Sequence, residues 1–374
     1  MQKANHARGL RFLSKLAFIT TVGLISAAIA YQASAQTVVT DPVGFITLSG
    51  QGTTSGSAFS FFSLGMTQVP VLRGLTTAFA NNVGYQVTLD QALSPGQYNE
   101  SNTVGSTKDP SYFVEFTSGP NAGLMDDIVS NDTAAIYTAN DDSAYEAAGV
   151  TYKIYPHWTI GTVFGPQNQV GLLGGTSGSL ADDVIVWNPL TQTTVTYYYK
   201  NGGLSGGTGW RSSTSASINT SNAVLYVDQG IQVQRKTSGN ISFLLVGAVK
   251  LSNTLSVIVG TNSVGSGFTF AGNVFPAGIA LGSSGLYTGN NTTGLNGGTS
   301  GSLADDVILW NPATQTTTTY YYKNGGLSGG TGWRSSTSAS IDASTNQIPL
   351  GAVAQIQRKV KGQFNWTMTQ PFVQ

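Results

Sequence analysis

Cysteine is absent from the 374-residue chain, which excludes disulfide staples, thiolate metal sites and a cysteine nucleophile. Charge is scarce too: Lys, Arg, Asp and Glu make up 9% of the residues. Surface polarity must therefore come largely from Ser, Thr, Asn, Gln and Gly, and no basic patch is there to hold a nucleic acid by its phosphates. Only two histidines occur, His6 and His157, which leaves little scope for imidazole acid–base chemistry. Long apolar runs are missing beyond the first 35 residues, so no later segment predicts a membrane-crossing helix.

Those first 35 residues read as a secretory signal. Lys3, Arg8, Arg11 and Lys15 make a basic start, residues 16–30 are uncharged and mostly apolar, and Ala33-Ser34-Ala35 fits a cleavage site before Gln36. The apolar stretch falls short of the roughly 20 residues that span a bilayer. Cleavage leaves 13 basic against 17 acidic residues, a net charge of −4. The remaining chain is long enough for two or three domains with cores of their own. The expectation is export to the exterior or cell surface, with the periplasm open as an alternative.

What the chain has in quantity is glycine, 47 residues, together with Thr, Val, Tyr and Phe in short alternating runs bounded by Gly, Asn, Pro or Ser. This pattern predicts many short antiparallel strands, including Val43–Leu48, Tyr112–Phe116, Thr193–Tyr199, Gln355–Arg358 and Gln363–Met368. The predicted fold is all-β, built from tandem antiparallel sandwich or barrel-like modules with long Gly-rich hairpin loops. A duplication organises them. Residues 174–218 align with 297–341 without a gap and differ at three of 45 positions, Val186/Leu309, Leu190/Ala313 and Val195/Thr318. The same offset carries QVQRK, 232–236, onto QIQRK, 355–359. A weaker likeness, YFVEFTSG ending at Gly119 against VQRKTSG ending at Gly239, suggests a diverged earlier unit. The predicted organisation is a signal at 1–35, an N-terminal β-unit at 36–127, and repeat units at 128–249 and 250–374.

Within the duplicated segment, DVIVWNPLTQTTVTYYYK predicts a hairpin that turns at Asn188-Pro189. Alternation along its second strand puts Val195, Tyr197 and Tyr199 on one face, expected to be buried. Thr194, Thr196, Tyr198 and Lys200 fall on the other, expected to be solvated. Five glycines between Gly202 and Gly209 then predict either a flexible hairpin extension or a backbone cradle for a ligand, with Trp210 and Arg211 at its exit.

The catalytic signals are weak. Gly203-Leu204-Ser205-Gly206-Gly207 and its copy at 326–330 match a G-x-S-x-G elbow formally, but that device needs a strand turning into a helix and a nearby histidine. His157 faces Ala277 when YPHW is aligned with FPAG, so one histidine cannot serve two matched sites. Adjacent acids such as Asp182-Asp183 and Asp305-Asp306 point to opposite faces of a strand and make a poor acid–base dyad. At a loop-to-strand junction they are candidate Ca²⁺ ligands, in the manner of weak extracellular sites. Otherwise they are solvated carboxylates, and no other cofactor is predicted. Trp187, Tyr198, Trp210 and Arg211, with Trp310, Tyr321, Trp333 and Arg334 in the copy, are candidate ligand-binding residues. Their rings would stack on sugars if exposed in a row, whereas in a β-protein such rings more often fill the core.

Taken together, TDPVGFITL after the signal, FFSLGM at 61–66, YFVEFTSGPNAG at 112–123, YKIYPHWTIGTVFG at 152–165 and the WNP-TQ, TYYYK and GW elements resemble a family of secreted, often paralogous proteins of verrucomicrobial and related bacteria. The resemblance covers essentially the whole mature chain. It implies export and a β-rich fold and supplies no activity. Where related sequences show GQGFFVRRK, this chain has DQGIQVQRK at 228–236 and lacks those aromatics. The function expected is that of an exported, non-enzymatic cell-surface or extracellular structural or interaction protein, its partners polysaccharide or other surface proteins. A polysaccharide-binding module, with or without Ca²⁺, is the alternative, and an outer-membrane barrel a third.

Overall fold

The computed structural model describes residues 41–374 except 82–83, 145–146, 204–205, 261–265, 327–328 and 373–374; the signal expected at 1–35 lies outside the described residues. The fold is all-β and antiparallel, with a closed barrel and two similar modules. The chain begins with β1 (Val43–Gly50) and β2 (Ala58–Phe62). It continues through β3 (Leu72–Ala80), β4 (Tyr85–Leu89), β5 (Asn102–Val104), β6 (Thr107–Asp109), β7 (Tyr112–Phe116), β8 (Met125–Asn131), β9 (Ala135–Thr138) and β10 (Thr151–Pro156). Next come β11 (Trp158–Thr159), the one-turn helix α1 (Ile160–Phe164), β12 (Asp183–Asn188), β13 (Thr193–Lys200), β14 (Gly209–Ser212), β15 (Val224–Leu225), β16 (Ile231–Arg235) and β17 (Ile241–Ala248). The last stretch holds β18 (Thr254–Val259), β19 (Gly267–Gly272), β20 (Ile279–Ala280), β21 (Asp306–Asn311), β22 (Thr316–Lys323), β23 (Gly332–Ser335), β24 (Gln347–Ile348), β25 (Val353–Arg358) and β26 (Gln363–Met368).

Pairing does not follow chain order. One five-stranded sheet runs β14-β13-β12-β16-β2 and the other β23-β22-β21-β25-β19; the ribbons β1-β17 and β11-β15 are matched by β18-β26 and β20-β24. The first module is therefore made of β1, β2 and β11–β17, and the second of β18–β26. The barrel β10-β3-β4-β9-β8-β7 is inserted between β2 and β11. This grouping cuts across a division at residue 127, which falls inside β8. The reason is that YFVEF and IQVQR, alike as strings, do different work: Tyr112–Phe116 closes the barrel between β8 and β10, whereas Ile231–Arg235 joins β12 to β2.

Three cores result. Phe62, Trp210, Val233 and Phe243 belong to the first module, Phe275, Val307, Ile356 and Trp366 to the second, and Val87, Phe116, Ile136 and Ile154 to the barrel. Period-2 patterning drives this, as in β26, where Phe364, Trp366 and Met368 turn inward while Gln363, Asn365 and Thr367 stay exposed. Burying a large side chain of this kind contributes roughly 1.5–3 kcal/mol. α1 forms because Thr159 and Thr162 make a reciprocal capping box, and it buries Ile160, Val163 and Phe164.

Candidate functional site

The duplicated hairpins turn as their sequence predicts. Asn188 Oδ1 accepts from the Leu190 and Thr191 N–H groups at 3.0 and 3.2 Å, and Gln192 closes the turn with a left-handed φ of 54°. Asn311 and Gln315 (φ 55°) repeat this. What the tips reach is the other module. Trp187 Nε1 donates to Phe268 O at 2.8 Å; Gln192 Nε2 donates to the same oxygen at 3.0 Å, and its Oε1 accepts from Phe268 N at 2.8 Å. Reciprocally, Trp310 Nε1 and Gln315 Nε2 each donate to Phe59 O at 2.9 Å, and Gln315 Oε1 accepts from Phe59 N at 2.7 Å. β2 and β19 are edge strands, whose free backbone groups need partners. Each glutamine amide stands in for one residue of a missing neighbour strand. Around this double clamp Trp187 stacks on Phe270 at 5.5 Å, Phe61 packs on Trp310 at 5.7 Å, and Phe61 meets Phe270 at 5.8 Å. Main-chain bonds from Ser63 N to Gly351 O and from Gly272 N to Asp228 O complete the junction.

The other candidate residues face inward. Tyr198, Trp210, Tyr321 and Trp333 are buried, so the predicted rings form no exposed row. On β13 Tyr197 and Tyr199 pack against the core as expected, but the other face is covered too near the strand's end, with Tyr198 and Lys200 2% exposed, and Val195 is 40% exposed. The cause is that the segment 175–178 folds over that face, with Gly175 bridging Lys200 and Gly178 set against the Tyr198 ring. Arg211 is spent on the glycine loop. It donates to Trp210 O at 2.7 Å, Ala216 O at 3.1 Å and Gly206 O; Arg334 holds Trp333 O and Gly329 O in the same way and adds Asp342. Gly206 and Gly329 have left-handed φ values of 74° and 77°, and a Cβ on either would approach a backbone oxygen, Ala216 O or Ala339 O, to 2.5 or 2.3 Å. Leu204, Ser205, Leu327 and Ser328 of the elbow-like motif lie outside the described residues.

The four candidate calcium ligands already have partners. Asp182 accepts from Lys236 N and Leu173 N, both at 2.7 Å, and lies 3.1 Å from Arg235; Asp183 meets Lys236 Nζ at 2.7 Å. Asp305 and Asp306 repeat this with Lys359, Asn296 and Arg358. Burial raises the pKa of Asp183, Asp305 and Asp306, against the pull of the adjacent lysines. Each aspartate pair fastens an irregular loop to the QRK strand. Among the described residues no three His, Cys, Asp or Glu converge as a metal-binding group.

A polar cluster that no sequence motif announces lies where the barrel meets both modules. Glu115 of β7 pairs with Lys250 from the intermodule connection, both side chains fully buried, and Ser252 joins them. Burial lowers the Lys250 pKa, with Glu115 opposing. Beside them, Asp127 Oδ1 lies 2.9 Å from His157 Nε2 while its Oδ2 accepts from Tyr226 Oη at 2.8 Å. Asp228, raised by burial, accepts from Ser256 at 2.9 Å. The His157-Asp127-Tyr226 set is laid out like an acid–base relay; His157 is 4% exposed, and the Tyr226 phenol is pushed above its usual range by desolvation and by the Asp127 carboxylate it donates to. Matched registers of β11-β15 and β20-β24 place Gly278, not Ala277, at the position of His157. These residues were hidden because no local pattern joins their partners, which lie 28 positions apart for Asp228 and Ser256 and 135 for Glu115 and Lys250.

No family model, curated protein or solved structure matches the chain.

Proposed function

We propose that this is an exported, non-enzymatic protein that serves as a rigid structural or interaction element at the cell surface or in the extracellular matrix. The observation that carries this reading is the reciprocal clamp. The most distinctive residues of the duplicated segment, Trp187 and Gln192 with Trp310 and Gln315, are spent on binding one module to the other. The acids and arginines that would otherwise suggest chemistry fasten loops. Export is supported by the leader-like start and by the family resemblance. A membrane-spanning barrel fits less well: five of the six barrel strands have seven residues or fewer, and the barrel interior is apolar, the reverse of a water-lined spanning barrel with strands of about 9–11 residues. Fractionation of producing cells, with protease treatment of intact cells, tests the reading. Recovery in the medium or in a protease-accessible surface fraction is expected. Recovery in the cytosol with residues 1–35 retained would overturn it.

A further inference from the structure

The two modules match strand for strand, yet they differ beside one pair of equivalent tryptophans. Ile160 and Gly161 donate to Ala223 O and Ser221 O, and Leu281 and Gly282 make the same bonds to Asn346 O and Ser344 O, which fixes the correspondence. Beyond this point the first module continues into α1. Phe164 packs on Trp210 at 5.7 Å and Gly165 O accepts the Trp210 indole N–H at 2.8 Å, so the site is filled and its donor satisfied. In the second module the helix is replaced by a tighter turn that leads through Gly285 to Tyr287, which stacks face to face on Tyr322. A cleft of about 270 Å³ opens there, with Trp333 in its wall, Tyr287 and Tyr322 alongside, and Asp342 and Ser344 at its edge. Trp333 is 4% exposed, and among the described residues its indole N–H has no acceptor. Asp342 stands where the first module has Asn219; Ser344 and Arg334 hold its carboxylate below the usual range, Ser344 contributing most.

We infer that this cleft of the second module is a binding site for one ring of a neutral saccharide. The chemistry is complementary: the half-buried Tyr287 ring, one face of it taken by Tyr322, offers a small apolar surface to the C–H face of a pyranose, while the buried Trp333 contributes its N–H alone. The unmatched indole N–H offers a donor to a ring hydroxyl, and the Asp342 carboxylate is a strong acceptor from another. Arg334 at 3.3 Å balances the aspartate charge, which favours a neutral ligand over a cation. The site would give the proposed surface protein something to hold, and it does not depend on the location proposed above.

The test uses the intact chain without its leader, labelled with ¹⁵N at the indoles of its six tryptophans. Methyl glucosides, galactosides and mannosides are titrated to about 100 mM, well above the millimolar dissociation constants of weak sites. One indole N–H resonance should shift saturably with at least one sugar, and that resonance should be missing from Trp333→Phe, which keeps an aromatic ring. Asp342→Asn, which installs the first module's residue, should weaken the same titration about tenfold while leaving the spectrum otherwise that of the folded protein. No saturable shift with any of the sugars, or a shifting resonance that persists in Trp333→Phe, would overturn the proposal.

Discussion

Replacing Gln315 by alanine isolates one half of the intermodule clamp. The substitution removes two hydrogen bonds to Phe59, the 2.7 Å bond from its N–H and the 2.9 Å bond to its carbonyl, together with the bond from Gln315 Nε2 to Pro312 O at 2.6 Å within the turn. Phe59 O keeps the Trp310 indole, but the N–H loses its partner. Two neutral hydrogen bonds contribute about 0.5–1.5 kcal/mol each. Phe59 is only half-buried, so water relieves part of the penalty for its orphaned N–H. The expected loss is about 2 kcal/mol. Gln315 also sits at φ 55°, where an L residue pays roughly 1 kcal/mol that glycine does not. Gln315→Gly should therefore lose about 1 kcal/mol less than Gln315→Ala, although both delete the same bonds. The assay is equilibrium urea unfolding, read as a shift of midpoint at constant slope. Gln192→Ala, acting on Phe268 far along the chain, should cost a similar amount and add to the first. If Gln315→Ala and Gln192→Ala both stay within about 0.5 kcal/mol of the parent, the clamp is not a determinant of stability and the reasoning fails.

Three further outcomes follow from the buried charges. Lys250→Met takes the cation away from Glu115 in a fully buried site and should destabilise by about 3–5 kcal/mol, whereas Lys250→Met with Glu115→Gln should recover most of that; equal losses for both, by urea unfolding, would contradict the pairing. Asp126 is pushed up to about 6 from 3.8, chiefly by burial, against opposing hydrogen bonds from Asn140. A raised folded pKa means a contribution fully present below pH 3.8 and lost as pH rises to about 6, so the stability of the parent relative to Asp126→Asn should fall by about 2–3 kcal/mol across that window and stay level above it. Calcium should leave the thermal midpoint unmoved, since Asp182, Asp183, Asp305 and Asp306 are already bound by backbone N–H groups and cations; a midpoint that climbs with calcium and returns with a chelator would restore them as metal ligands.

Much of the β-structure is legible in sequence because alternation is local. β17, β25 and β26 each show the period-2 pattern of a sheet with one buried face. The barrel is not legible in the same way. Leu72–Ala80 reads LRGLTTAFA, without clean alternation, and carries a register shift between Thr76 and Ala78 where it pairs with β4. Alternation places Tyr198 and Lys200 in solvent for a related reason: it says which residues share a face, and only the tertiary fold says that a loop covers that face. The candidate rings stand out in the sequence, but their places in the fold do not. Trp310 and its acceptor Phe59 O are separated by 251 positions, and no local pattern encodes a contact of that span. The cleft of the second module is harder still, because it arises from a difference between two aligned turns, α1 and the Gly285 turn, whose sequences alone do not show which one leaves an indole N–H unmatched.

The clamp also accounts for how unevenly the two copies have drifted. Within the hairpin, Trp, Asn, Pro, Thr and Gln recur unchanged, and two of the three differences, Leu190/Ala313 and Val195/Thr318, fall at exposed positions of the first copy. The strands that receive the hairpins differ more, AFSFF in β2 against GFTFAG in β19. The asymmetry follows from which atoms take part. Each hairpin contributes side chains, an indole N–H and a carboxamide, and these have few substitutes. Each receiving strand contributes the main-chain N–H and carbonyl of one residue, which any amino acid except proline supplies. Substitution in β2 or β19 therefore leaves the hydrogen bonds standing, whereas substitution of Trp187, Gln192, Trp310 or Gln315 removes them, and the same physical constraint acts on both hairpins at once.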